Sequence, residues 1–257
     1  MFVSFVDGHN RAGKPGGPRV CRERRRRVKR RMRLRYRGPM TDVIVARDMH
    51  QVQVLWSDAA LVVVDKPAGQ LSVPGRGSDK ADCTWSRLRA QFSDVLVVHR
   101  LDQATSGLML FARGVLAQRA LSRAFAERRV DKRYVAVVHG LVGDDIGRIE
   151  WPLGADWPQR PRQRVDAVSG RPATTLFSVL QRDAALQRTR LALQPLTGRT
   201  HQLRVHLAAL GHAIVGDALY GSTPEAAAPR LLLHAEQLQL DHPLDGRPMH
   251  LHCASPF

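Results

Sequence analysis

The sequence predicts an α+β fold built around one mixed, mainly antiparallel β-sheet. Short apolar runs of strand length recur through the chain after residue 52, and turn residues separate them. Only three stretches space their apolar residues as an amphipathic helix does. Because no internal repeat or clean linker divides this region, we expect one domain over residues 50–257, although 257 residues also suffice for two small domains.

Residues 1–40 differ in composition from the rest of the chain. They hold 14 Lys and Arg residues against 2 Asp and Glu, whereas residues 41–257 hold 26 against 21, so most of the net charge of +17 lies at the N-terminus. The Arg-rich run at 22–31 would repel itself in a compact state, and we expect this extension to be disordered. It can be a basic arm on nucleic acid, a targeting sequence, or translated upstream sequence before a start at Met40 or Met49.

Composition and cysteine use favour a cytoplasmic protein. No apolar run approaches the roughly 20 residues that span a bilayer, and no apolar segment of a secretory signal follows the basic N-terminus. Cys21, Cys83 and Cys253 are far apart, which indicates a reducing compartment rather than a disulfide framework. The mildly basic folded region suits a polyanion such as RNA, but charge alone does not separate RNA from DNA or from a membrane surface.

The first half of the folded region predicts a hairpin, a helix, two strands and a second helix. In chain order these are strands Val52–Trp56 and Leu61–Asp65, a helix Thr84–Phe92 with Thr84 as its N-cap, strands Val95–Val98 and Leu108–Ala112, and a helix over residues 116–125. The apolar positions of the second helix form one face, so we expect it to pack on the sheet.

The second half predicts further strands and one helix. The strands are Lys132–Val138, Arg148–Leu153, Thr174–Leu180 and Arg190–Gln194, followed by short strands near residues 231–234 and 249–252. Leu203, Leu207 and Leu210 form one face of a helix that Gly211 ends. Residues 156–164 form a basic loop with one aromatic residue, Trp157, which can contact phosphates and stack on a base.

The stretch at residues 98–107 concentrates polar side chains between two predicted core strands. Asp102 is flanked by Arg100 and by the hydroxyls of Thr105 and Ser106. A loop held by two buried strands is a good mount for a catalytic group. The stretch offers neither a second carboxylate nor metal-ligand spacing, which argues against a two-carboxylate hydrolase or a metal site. The alternative is that Asp102 only caps backbone amides of the turn.

Three motifs in order resemble those of the RluA family of RNA pseudouridine synthases. They are His99-Arg100-Leu101-Asp102 with Thr105-Ser106-Gly107, then Arg133-Tyr134-Val135, then Gly198-Arg199-Thr200-His201-Gln202-Leu203-Arg204-Val205-His206. The resemblance implies a pseudouridine synthase fold with an active-site cleft across the sheet, no S4 domain, and a monomer that isomerises uridine without a cofactor. It also implies RNA partners, namely the transfer RNA anticodon stem-loop at position thirty-two and 23S ribosomal RNA.

The resemblance assigns roles to single residues. Asp102 becomes the essential carboxylate, as nucleophile on the sugar, as nucleophile on the base, or as the base that removes a sugar proton. Arg204 becomes its cationic partner, Tyr134 stacks on the target uracil, Arg100 fills the space of the flipped nucleotide, and Leu203 forms an apolar wall. His99, Thr105 and Arg199 are assigned to substrate binding, although His99, His201 and His206 also fit core histidines that bond backbone groups.

No metal is expected, and rival functions remain. His234, His242, His250, His252 and Cys253 match no zinc-ligand spacing. Within the class, the rival is a synthase for a different ribosomal RNA uridine. Outside it, the chain can be a non-catalytic RNA-binding or RNA-chaperone protein, or a DNA-binding protein that works through its basic N-terminus.

Overall fold

A computed structural model describes residues 52–77, 80–221 and 228–257. The predicted disordered extension at residues 1–40 and the first residues of the expected catalytic domain lie outside these ranges. Within the described ranges, no helix has the length and apolar content needed to cross a membrane.

The described residues form twelve strands and three α-helices. The strands are β1 (Gln53–Ser57), β2 (Leu61–Lys66), β3 (Val95–Val97), β4 (Ser106–Arg113), β5 (Asp131–His139), β6 (Ile146–Ile149), β7 (Leu153–Ala155), β8 (Gln163–Val165), β9 (Thr175–Asp183), β10 (Arg188–Pro195), β11 (Leu233–Asp241) and β12 (Pro248–His252). The helices are α1 (Thr84–Arg89), α2 (Gly114–Ala126) and α3 (Gln202–Ala209). The α+β prediction is confirmed.

One large sheet carries ten of these strands. Its order is β1-β2-β4-β11-β5-β10-β9-β6, with β12 paired to β11 and β3 paired to β4, while β7 and β8 form a separate hairpin. Among the described pairs only β4 and β11 run parallel, which confirms a mainly antiparallel mixed sheet. β11 joins the two halves of the sheet, although the sequence indicated only short strands in this region.

The centre of the sheet reflects continuous apolar segments in the sequence. β2 is buried along most of its length and pairs with β4 from Leu61–Ala112 to Lys66–Gly107. A strand buried on both faces reads as an unbroken apolar run because each face packs against other elements. At Gly107, φ is +110° and an added Cβ would lie 2.3 Å from the Ala235 carbonyl oxygen, so only glycine lets β4 pair closely with β11.

The three helices lie on the faces of the sheet. The Ala117 and Leu121 side chains of α2 pack with Leu61 and Leu108 in one core cluster. Leu88 of α1 packs in a second cluster on the other side of β2 and β4. In α3, Leu203 and Leu207 pack on β5 and β10 in a third cluster, as the predicted apolar stripe required. The third cluster brings the third sequence motif next to Tyr134.

The first helix begins and ends at different residues from those that the sequence predicted. Its N-cap is Cys83, whose Sγ accepts from the backbone N–H of Ser86 at 3.3 Å while the Ser86 hydroxyl accepts from the backbone N–H of Cys83. Thr84, the predicted cap, is instead the first helical residue and donates to the Leu71 carbonyl at 3.1 Å. The helix ends at Arg89 rather than Phe92, since a turn with hydrogen bonds to the Leu88 carbonyl follows it. Thr84 therefore anchors the preceding loop.

The predicted strand Arg148–Leu153 is wrong as a single element. β6 ends at Ile149 beside Thr175 of β9, and β7 begins at Leu153 in the separate hairpin. Pro152 separates the two, and proline lacks the N–H that a continuous ladder requires. The predicted loop at 156–164 likewise contains a 3-10 turn at Trp157–Gln159 and the first residues of β8.

Candidate active site

Hydrogen bonds on both sides hold the backbone of the loop that carries Asp102. Ser72 donates its hydroxyl to the Leu101 carbonyl at 2.7 Å and accepts from the Leu101 N–H at 3.1 Å. The Gly69 N–H donates to the Gln103 carbonyl at 2.8 Å, and the Gln103 side chain donates back to Gly69. The residues before and after Asp102 are therefore fixed by the segment that follows β2, far away in sequence.

The Lys66 side chain also forms a hydrogen bond with the loop that carries Asp102. Its buried Nζ donates to the carbonyls of Pro67, Gln70 and Gln103 at 2.8, 2.7 and 3.1 Å. Burial lowers the pKa of Lys66 to about 7, and the nearby Asp102 charge opposes that shift. Lys66 directly follows the predicted strand Leu61–Asp65, and no sequence motif indicated this tether.

Asp102 faces an arginine whose own position is set by a second carboxylate. Arg204 Nη1 lies 3.4 Å from Asp102 Oδ2, while Arg204 Nε and Nη2 donate to the two oxygens of Asp217 at 2.8 and 2.7 Å. Burial disfavours the guanidinium charge, but the bonds to Asp217 outweigh it and raise the pKa of Arg204. Asp217 was not predicted as a site residue, because it belongs to none of the three sequence motifs.

Asp102 opens into a cavity of ≈ 240 Å³ between the sheet and the start of α3. Seven of the eight predicted site residues line it, namely Arg100, Asp102, Thr105, Tyr134, Arg199, Leu203 and Arg204. The Tyr134 ring and the Leu203 side chain share one apolar cluster and form its apolar walls. Burial and the Asp102 charge both raise the pKa of Tyr134, so its phenol stays protonated at neutral pH.

Three lining residues occupy different positions in the cavity. Arg100 is exposed at the rim. Thr105 is buried and its N–H donates to the Asp102 carbonyl at 3.1 Å, which closes the turn after the carboxylate. The Arg199 side chain donates to the Pro172 carbonyl at 3.1 Å. Thr105 thus stabilises the loop, whereas Arg100 is open to solvent.

His99 lies away from the cavity, and its position does not support the predicted contact with substrate. Its Nε2 accepts from the Leu110 N–H at 2.9 Å, and its ring stacks on Phe125 of α2 with centroids 4.5 Å apart. Burial and then the charge of Lys132 lower the pKa of His99 to about 3. The imidazole is therefore a neutral acceptor within the core, the alternative that the sequence also allowed.

The lowered pKa of His99 predicts a loss of stability in acid. The unfolded imidazole titrates near 6.5 and the folded one near 3, so the unfolded chain binds the extra proton between these values. The stability from the neutral ring is complete above pH 6.5 and is lost toward pH 3, by at most about 1.4 kcal/mol per pH unit. Urea unfolding between pH 7 and pH 4 should show a shallower decline for His99→Gln. An identical slope in the two proteins would contradict a depressed His99 pKa.

The β7–β8 hairpin carries the basic and aromatic residues predicted to contact RNA. Trp157 is 67% exposed, and the Arg160 guanidinium lies 3.7 Å from its ring centroid. Arg162 lies 5.5 Å from the ring of Tyr220, a residue close to the Asp102 cavity. The exposed cation and ring form a surface suited to phosphates and bases.

Two other features lie apart from Asp102. A depression of ≈ 800 Å³ runs over β5, β6, β9, β10 and β11, shares Lys132 with the Asp102 cavity, and contains none of the eight predicted site residues. In the described part of the chain, Asp65, His234 and Cys253 place possible metal-ligand atoms within 4.8 Å of one another. Both His234 ring nitrogens already bond other groups, the Ser106 hydroxyl at 2.8 Å and the Cys253 carbonyl at 3.1 Å.

The fold and these motifs match those of RNA-modifying isomerases. A model of the family described as RNA pseudouridylate synthase matches residues 60–209, and the chain belongs to this family, as its motifs predicted. It is therefore an isomerase that converts uridine in RNA into pseudouridine.

Its curated relatives include enzymes named "Dual-specificity RNA pseudouridine synthase RluA". The enzyme of Yersinia pestis is 47% identical over 206 residues, which cover 79% of this chain and 99% of the relative. Those of Haemophilus influenzae and Escherichia coli K12 are 45% and 46% identical, covering 80% and 79% of this chain and 94% and 93% of theirs.

Two solved human structures share the architecture. "Human RNA Pseudouridylate Synthase Domain Containing 1" superposes with a TM-score of 0.69 at 29% identity, covering 83% of this chain and 87% of that one. "Human RNA Pseudouridylate Synthase Domain Containing 4" has a TM-score of 0.64 at 25% identity, covering 79% and 88%. The pseudouridine synthase fold predicted from the motifs is confirmed.

Proposed function

We propose that Asp102 is the catalytic carboxylate of this synthase and that Arg204 is its cationic partner. The observation that carries the proposal is the position of Asp102 in the cavity, 3.4 Å from Arg204 Nη1. Each of the three possible roles of Asp102, two nucleophilic and one basic, needs the charged form. The side chain is 21% exposed, which leaves it accessible to a bound nucleotide.

The reaction rearranges bonds within one nucleoside and needs no co-reactant. The bond between N1 of uracil and C1′ of the ribose breaks, the base rotates, and C5 joins C1′. The proton on C5 is released, and N1 gains one, so atoms and electrons balance. We therefore propose that the chain works without cofactor or metal, and that Asp102 supplies either the transient covalent bond or the base for the sugar proton.

The cavity walls match the needs of a flipped uracil. Tyr134 presents a protonated phenol and an aromatic ring, and Leu203 presents an apolar side chain. A base in this space would stack on the ring, as single-stranded bases do on aromatic residues. Arg100, exposed at the rim, would fill the gap left in the RNA and offset part of the few kcal/mol of stacking lost on flipping.

We propose two RNA substrates, the anticodon stem-loop of transfer RNA at position thirty-two and 23S ribosomal RNA. The name of the relatives, which match this chain over 90% or more of their own length, supports dual specificity. Arg199 and the β7–β8 hairpin, with its exposed Trp157, are proposed RNA contacts. We also propose that the protein acts as a monomer in the cytoplasm, where these RNAs occur. Cys83 and Cys253 are unpaired, which suits a reducing compartment.

Site mapping tests both the chemistry and the substrates. The purified protein is incubated with unmodified transfer RNA and with 23S ribosomal RNA, and pseudouridine is located by carbodiimide-dependent reverse-transcription stops. We expect stops at one position in the anticodon loop and at a discrete set of positions in 23S ribosomal RNA. The Asp102→Ala protein serves as the matched control and should produce none of them.

The possible results separate the parts of this proposal. Stops in only one RNA would keep the chemistry and overturn dual specificity. Stops that persist with Asp102→Ala would remove Asp102 from catalysis. An absence of stops in both RNAs would overturn the substrate assignment, and retained RNA affinity in that protein would then favour a non-catalytic binding role.

A further inference from the structure

Tyr220 joins the β7–β8 hairpin to the catalytic cavity. Its hydroxyl oxygen accepts from the backbone N–H of Gln163, in β8, at 2.8 Å. The same oxygen lies 2.7 Å from Nδ1 of His201, a residue that lines the cavity. One side chain thus bridges the predicted RNA-contacting hairpin and the residue at the N-terminus of α3.

The two contacts of Tyr220 fit a His201 ring that carries its proton on Nε2. While the phenol oxygen accepts from Gln163, its O–H can donate to His201 Nδ1. Burial lowers the pKa of His201 and favours the neutral ring. A neutral ring that accepts at Nδ1 carries its proton on Nε2. Nε2 lies 3.9 Å from Asp102 Oδ2, so the nitrogen that carries this proton is the one beside the catalytic carboxylate.

His201 occupies an unusual backbone conformation that places its ring in this position. Its φ is +54°, in the left-handed region that residues other than glycine rarely adopt. Such conformations persist where surrounding contacts hold them, and they cluster at functional sites. The bond to Tyr220 and an edge-to-face ring contact, with centroids 5.7 Å apart, are contacts of this kind.

The turn that carries Tyr220 is also tied to the catalytic arginine. Asp217 Oδ1 accepts from the N–H groups of Leu219 and Tyr220 at 3.0 and 3.2 Å, and from Arg204 Nη2. The Arg204 guanidinium lies 5.1 Å from the Tyr220 ring centroid. Tyr220 therefore contacts both groups that approach Asp102, with its ring toward Arg204 and its hydroxyl toward His201.

We propose that Tyr220 is a positioning residue that transmits RNA contact at the β7–β8 hairpin to Asp102 through the Nε2–H of His201. RNA seated on Trp157 and Arg160 moves β8, and the Gln163–Tyr220–His201 chain brings Nε2 from 3.9 Å to hydrogen-bond distance of Asp102 Oδ2. Hydrogen bonds at catalytic groups commonly tighten only in the complex. The inference rests on the proposed function, because it takes Asp102 as the reacting carboxylate.

The Tyr220→Phe variant tests the hydroxyl while it keeps the ring beside Arg204 and Arg162. We expect the single-turnover rate at saturating transfer RNA to fall about tenfold, while the Kd for the same RNA changes by less than about threefold. Two-bond ¹H–¹⁵N spectra of the histidine rings, assigned with a His201→Gln protein, should show His201 moving from the Nε2–H form to a mixture of tautomers. If the Tyr220 hydroxyl had a purely structural role, its removal would lower the urea midpoint of unfolding and leave the His201 tautomer unchanged.

A double-mutant cycle with Trp157→Ala tests transmission from the hairpin. If both residues act along one path, each single variant lowers the single-turnover rate about tenfold and the double variant falls little further. Additive effects, with a loss of about a hundredfold in the double variant, would overturn the proposal. An unchanged His201 tautomer in Tyr220→Phe would overturn it as well.

Failure of the inference is distinguishable from failure of the proposed function. An Asp102→Asn protein that keeps its rate contradicts the proposed function whatever Tyr220 does. An Asp102→Asn protein that loses its rate, together with additive Tyr220 and Trp157 effects, rejects only the coupling.

Discussion

Replacing Asp102 by Asn should abolish pseudouridine formation while leaving the fold intact. The amide keeps the size of the side chain but supplies neither the anionic nucleophile nor the base, so the rate of tritium release from C5-labelled transfer RNA should fall by at least about 10³-fold. Arg204 remains held by Asp217 through bonds of 2.8 and 2.7 Å. The unfolding free energy should therefore change by no more than about 1 kcal/mol.

RNA affinity provides the control for this variant. Asp102 lies in the cavity and bears a negative charge, so its loss should leave the Kd for transfer RNA equal or slightly lower, since one repulsion with phosphate disappears. A tritium-release rate within about tenfold of the native protein would exclude Asp102 from all three catalytic roles. A lost rate accompanied by lost RNA binding would point to a substrate-holding role instead.

Replacing Asp217 by Asn should produce the largest loss of stability among the charged positions of the site. The Asp217 side chain is fully buried and that of Arg204 is 5% exposed, with Nη2 and Oδ1 2.7 Å apart. Removing one charge leaves the other buried and poorly compensated, which costs about 3–5 kcal/mol. Urea unfolding at pH 7 measures the loss, and activity should fall as well because Arg204 loses the carboxylate that aims it at Asp102.

An exposed ion pair provides the matched control. Arg129 and Glu127 are 2.8 Å apart, close to the separation of the buried pair, but their side chains are 49% and 52% exposed. Glu127→Gln should cost no more than about 1 kcal/mol, because solvent screens the pair and replaces its hydrogen bonds. Equal losses in the two variants would mean that burial does not determine the strength of the Arg204–Asp217 interaction.

Most strands could be predicted because their apolar residues are contiguous. β2, β4, β5, β9 and β10 appear in the sequence as short apolar runs of strand length. The misplaced elements depended on distant partners. Residues 148–153 divide between two sheets because Ile149 pairs with β9 whereas Leu153 pairs with β8. Thr84 bonds the Leu71 carbonyl instead of capping its own helix.

The residues of the candidate site also fall into two groups, those that sequence motifs predicted and those that only the fold revealed. Asp102, Tyr134 and Arg204 belong to recognisable motifs, and the structure brings all three to one cavity. Lys66 and Asp217 escaped sequence reasoning because their importance lies in what they contact. A buried lysine and a buried aspartate have no local signature, and only the folded chain brings them to the Asp102 loop and to Arg204.

The sequence by itself determined the α+β class, the family and the reaction, and it singled out Asp102 as the candidate catalytic carboxylate. Apolar periodicity is a local property of the chain, and motif order survives without coordinates. Only the tertiary structure placed His99 against Phe125 and brought Asp217 and Tyr220 next to Arg204. These assignments depend on burial and on hydrogen bonds between residues far apart in sequence, such as Tyr220 and Gln163. Such contacts stabilise the protein only after folding has brought the two partners together and excluded water from between them.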